Sequence, residues 1–107
     1  STVVTAWLAS SDRNAKTNIH SGSSKAQEFL DALSAYSYNY KEPKAFGRKD
    51  GEILSVMAQD LEKSSLGSQL VRDTPVGKMV DYGQSLAVIL ASQAYLNDKF
   101  KNLESRI

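Results

Sequence analysis

The chain has 107 residues, enough for one domain whose modest core often needs a partner to be stable. Hydrophobic residues make up 41% and charged residues 23%, and 13 basic against 12 acidic side chains leave a net charge of +1, so no nucleic-acid or acidic partner is expected. With no cysteine there is no disulfide framework and no thiol nucleophile, and with His20 as the sole imidazole no metal cluster is expected and a Ser-His triad could run only through that residue.

Taken in order, TVVTAWLAS (residues 2–10) carries β-branched and apolar residues on both faces and predicts a short buried strand. The N-terminus lacks the basic start of a signal peptide and no apolar run is long enough to cross a bilayer, so no membrane partner is expected. SDRNAK follows, with Ser11 five residues before Lys16, a spacing that chance supplies in any chain of this size. SGSS (21–24) reads as a loop in which Ser24 and Gln27 form a capping box for a helix. Ala26, Phe29, Leu30 and Leu33 fall at i, i+3, i+4 and i+7, one apolar stripe.

YSYNYK (36–41) alternates aromatic and polar residues at period two, a half-buried strand. EPKAFGRKDG (42–51) contains Pro43, Gly47 and the Asp50-Gly51 pair and reads as a long connection. EILSVM predicts a second strand and AQDLEKS a short helix. QLVRD and KMVDY flank Thr74, Pro75, Val76 and Gly77, so a small hairpin is expected there. Asp81, three residues before Gln84, can cap the last helix.

In that helix Tyr82, Leu86, Ile89, Gln93, Leu96, Phe100, Leu103 and Ile107 are spaced 4, 3, 4, 3, 4, 3 and 4, an unbroken heptad seam. Residues 82–107 would reach ~39 Å, longer than so small a domain needs for its own core. Leu86, Gln93 and Phe100 take a positions, which places Lys99 at g and Glu104 at e, where neighbouring helices can pair, and Gln93 would restrict register and strand number. Up to Leu90, where AVIL is apolar all round, the expectation is a helix lying on its own sheet. Beyond Gln93 it is oligomeric packing, because few other elements remain to cover the seam.

The order of these features resembles the endosialidase-type intramolecular chaperone and auto-processing domain at the C-termini of phage tail spikes and fibres. SDRNAKTNI resembles its opening motif, FLDALSAYSYNYK its helix and following strand, EILSVMAQDLEKS its next strand with an AQ pair and an acidic residue, and GKMVDYGQSLAVILASQAYLNDKF its closing strand and helix. SSLGSQLV departs from the pattern where relatives often carry a proline. The resemblance implies a small α+β domain of short strands, hairpins and one short helix with a long C-terminal helix as oligomer seam. Residues 1–10 would be the end of an upstream passenger and residues 11–107 the chaperone domain. The implied partners are a homotrimer and the upstream spike or fibre, with no cofactor. The implied setting is the host cytoplasm during virion assembly, with the released fragment absent from the mature virion. The connecting region can form an arm in the family, making Lys44, Arg48 and Lys49 candidate contacts; a solvated basic loop is the other reading.

By the same resemblance Ser11 is a nucleophile, Lys16 its general base, and the bond cut lies between Ser10 and Ser11. A serine hydroxyl needs a base, and a lysine serves only as the neutral amine, which requires its ordinary pKa of ~10.4 to fall by roughly 3 units through burial in a dry site. Asp12 and His20 are near enough to help, although a turn or cap suits Asp12 and plain exposure suits His20; Ser10 is the rival nucleophile. A non-cleaving trimerisation module, with SDRNAK as a mere connection, is the alternative. A protease acting on other proteins is disfavoured because no substrate cleft is suggested, and no glycine-rich phosphate loop is present.

Overall fold

A computed structural model of the chain describes residues 8–47 and 51–106. Most of the predicted first strand lies outside that range, and its described end, residues 8–10, is irregular and exposed rather than a buried strand. A one-turn 3-10 helix, Arg13–Ala15, follows.

Helix α1, Ser23–Asp31, buries Ala26 and Phe29 of the predicted stripe and half-buries Leu30 and Leu33. The expected capping box does not form. The helix starts two residues earlier, with Gly22 rather than Ser24 at the N-cap, and Ser21 Oγ accepts the Ser23 N–H at 3.3 Å. Gln27 is then already inside the helix, and its amide turns outward to Asp31 at 3.0 Å while its oxygen accepts from Lys99 at 3.1 Å and from Tyr95.

Strands β1, Tyr36–Tyr38, and β2, Ile53–Ser55, pair antiparallel with Tyr38 opposite Ile53. Both are shorter than their aromatic and apolar runs, and Tyr38 and Tyr40 meet edge to face at 5.6 Å just beyond the pairing. The connection between them contains a 3-10 turn, Pro43–Phe46, stopped by Gly47 at φ 62. Lys44 is exposed there; Arg48 and Lys49 lie outside the described residues.

Helix α2, Ala58–Leu61, forms as predicted, and a second single turn, α3, Ser65–Ser68, occupies the SSLGSQLV stretch, where no element was expected. The Ser64 hydroxyl caps α3 by accepting the Gly67 N–H at 3.0 Å, and Glu28 of α1 accepts the Ser65 N–H at 2.8 Å. Gly67 is buried against α2, where a Cβ would collide with the Leu61 carbonyl oxygen and lie 2.7 Å from Ser64 Oγ. Gly67→Ala is therefore expected to destabilise the fold by about 1–3 kcal/mol, read as a lowered thermal midpoint.

Strands β3, Val71–Thr74, and β4, Gly77–Val80, make the expected hairpin. Lys78 ties it down by donating to Glu62 and to Asp73, each at 2.9 Å. Those bonds, to Asp73 first and Glu62 second, hold its ammonium above the ordinary lysine range. Asp81 Oδ1 then accepts the Gln84 N–H at 3.0 Å and starts helix α4, Tyr82–Glu104.

Phe29, Leu61 and Leu70 form the buried core, with Leu30, Val56, Val80 and Val88 against it. This is a small core, and the radius of gyration of 16.9 Å exceeds the roughly 13 Å of a compact domain of this length. Helix α4 does not lie on its own sheet in its first half. It packs against α1, with Val88 on the core and Tyr95 bonded to Gln27, buries Ser85 and Ser92, and leaves Leu86, Ile89 and Leu90 between 50% and 72% exposed. Two sheets of two strands each are too small to cover an apolar helix all round.

Candidate functional site

The 3-10 turn after Asp12 brings the two halves of SDRNAK together. The Asp12 carboxylate accepts the Asn14 N–H at 2.9 Å, and backbone bonds from Ala15 to Asp12 at 3.0 Å and from Lys16 to Arg13 at 3.2 Å close the turn. Lys16 leaves it in extended backbone, with its Nζ donating to Ser11 Oγ at 3.1 Å. Two residues on, Asn18 sits in the left-handed region at φ 51, a conformation asparagine tolerates better than most side chains. The spacing of Ser11 and Lys16 was visible in the sequence. The turn that makes it a contact was not, because its signal is only an Asp-initiated cap.

Every residue from 8 to 25 is exposed. Ser10 and His20 share that exposure, and no hydrogen bond joins either to Ser11 or Lys16 among the described residues. The Ser11-Lys16 pair is thus in contact and open to water. An amine donating to a hydroxyl is the reverse of what a general base does.

The second surface is the α4 seam. Tyr82, Leu86, Ile89, Leu96, Phe100 and Leu103 are all between 43% and 59% exposed, Gln93 is exposed among them, and Ile107 lies outside the described residues. The inner face, offset from the seam, carries Ser85, Ser92 and Lys99, and Lys99 donates within its own chain to Gln27. So long a row of large apolar side chains exceeds the scattered exposure of a monomer surface. Among the described residues no helix is long and apolar enough to cross a membrane.

The family model described as chaperone of endosialidase matches residues 11–71, more than half of the chain, and the chain belongs to that family. The match opens on Ser11 itself and ends inside β3, so the closing strand and α4 lie beyond it. No curated protein matches the chain. The family is peptidase-related, and a chaperone of endosialidase implies association with an upstream fibre or spike passenger.

Proposed function

We propose that the chain is an intramolecular chaperone that assists folding and trimerisation of an upstream tail spike or fibre and then frees itself by a single cut before Ser11. The observation that carries this reading is the 3.1 Å contact between Lys16 Nζ and Ser11 Oγ at the first residue of the family match. Neutral Lys16 takes the Ser11 hydroxyl proton, and Oγ attacks the carbonyl carbon of Ser10. The C–N bond breaks as the Ser11 nitrogen receives that proton, leaving the Ser10 acyl group on Oγ as an ester. Water then cleaves the ester to a Ser10 carboxylate and restores the Ser11 hydroxyl. Residues 1–10 stay with the passenger, and residues 11–107 leave. The setting is the host cytoplasm during virion assembly, with the spent fragment absent from the finished virion.

The exposure of the pair supplies the control. In a single chain the pair is open to water, and the cut proceeds only when neighbouring chains exclude that water, so cutting reports completed assembly. Expressing the chain with its passenger and reading the N-terminal residue of the released fragment tests the proposal: Ser11 is expected, and any other residue, or no fragment, overturns it. No fragment from a fully assembled trimer would favour the non-cleaving module, a reading that the exposed seam supports by itself.

Asp12 holds the turn through its cap and does not reach Lys16 by any hydrogen bond among the described residues. Asp12→Asn keeps a capping oxygen and is expected to cut at nearly the normal rate, whereas Asp12→Ala loses about 1 kcal/mol of turn stability and slows cutting severalfold. Equal loss in both variants, in a time course of fragment release, would make Asp12 an acid-base partner instead.

A further inference from the structure

A cleft of about 530 Å³ runs between the two hairpins, walled by Tyr38, Tyr40, Met57, Val76, Met79 and Tyr82. The dyad does not line it, and the proposed cut makes no use of it. We infer that this cleft is the docking site of the chain's own uncut upstream strand, residues 2–7, and that it holds passenger and chaperone together until the cut. The inference rests on the chaperone reading and names the contact by which that reading works.

Four observations converge on this occupant. Residues 1–10, STVVTAWLAS, contain no charged side chain, and TVVT is β-branched throughout, a sequence suited to a strand. The cleft is matched to it in charge: its one basic lining residue, Lys78, is already neutralised by Glu62 and Asp73. Burial, then the neighbouring Tyr40 hydroxyl, pushes the Tyr38 phenol upward, so that it stays neutral. The cleft is lined from two sheets of only two strands, each marginal alone, and strand addition is one recurring way in which such sheets gain a partner. Asn39 and Gln59 on the lining can bond a strand's backbone, and Met57 and Met79 adapt to varied side chains.

The tether decides the consequence. Before the cut, residues 2–7 belong to the same polypeptide as the cleft and meet it at high effective concentration; after it, the same contact is bimolecular and weak. Cutting before Ser11 would thus release the chaperone without any change in its fold.

Because the chain has no cysteine, introduced pairs give an unambiguous test. In the passenger-linked protein carrying Ser11→Ala, so that the strand stays attached, Val4→Cys is combined with Met79→Cys in the cleft or with Leu54→Cys, which is 75% exposed and outside it. Disulfide formation about tenfold faster with Met79→Cys is expected, within one chain or between neighbours. Equal rates, or a disulfide joining two copies of Met79→Cys with Val4→Cys left free, overturn the docking. Solution mass of the same samples separates the two readings: a trimer without the Met79→Cys link refutes the docked strand while leaving the chaperone role intact, and loss of the trimer with the link present refutes the assembly role alone.

Discussion

Lys16→Arg leaves the passenger joined to its chaperone, as do Lys16→Ala and Ser11→Ala, while all three proteins assemble normally. The arginine variant is the sharpest of them. It keeps a cation able to donate to Ser11 Oγ, so any role for Lys16 as a structural charge is preserved, yet a guanidinium is not deprotonated in proteins and cannot take the hydroxyl proton. Losing a general base costs about 10²–10⁴ in rate, which turns a cut completed during expression into one that is undetectable on the same timescale. Ser11→Ala removes the attacking oxygen itself and is expected to leave no residual cutting. Ser10→Ala, by contrast, keeps the dyad and still yields a fragment beginning at Ser11. Denaturing gels and intact mass of the purified assemblies check all four; normal cleavage in Lys16→Arg would end the case for lysine as base.

The sequence carried the elements whose signal is local and periodic. The stripe of α1, the Asp81 cap, the Pro75-Val76 turn and the heptad spacing each follow from residue types within one or two turns of each other, and each is in the structure. What it could not carry was competition between neighbours. Ser24 and Gln27 satisfy the capping pattern, but Ser21 and Gly22 start the helix earlier, and Gln27 is drawn to Tyr95 and Lys99, roughly 70 residues away in sequence and invisible to any local rule. The second single-turn helix has no local signal, because SSLGSQLV carries no helical pattern of its own and Glu28 lies beside Ser65 only in the fold. AVIL, apolar all round, points to a helix covered by its own sheet; the sheets are too small for that, and the buried face carries Ser85 and Ser92, which no hydrophobic pattern selects. For the site, resemblance supplied the pair of residues and the turn geometry supplied their contact.

Leu96→Asp combined with Phe100→Asp converts the assembly to single chains and abolishes the cut with Ser11 and Lys16 untouched. The two side chains are 43% and 59% exposed and neither belongs to the buried core, so the substitutions leave the fold of each chain, including its far-ultraviolet dichroism, essentially as it was. In the proposed assembly the same residues face the next chain's seam. A Leu or Phe that is half exposed in one chain gains up to about 1 kcal/mol on full burial, and a carboxylate in its place faces the neighbours' copies at close range without a partner. Repeated around a symmetric interface, that change exceeds what the remaining seam residues can offset. The loss of cutting follows from water rather than from the dyad: without neighbours Lys16 stays solvated, and the 3.1 Å contact persists as an inert hydrogen bond. Gln93→Leu acts in the opposite sense, since it removes the one polar residue from the described seam; a more stable assembly of mixed stoichiometry is expected, with cutting retained only in the fraction that still packs its dyads correctly. Mass in solution and fragment yield from the same samples decide the matter. Single chains that cut at the normal rate would show that the dyad dries itself, and would break the link between assembly and release.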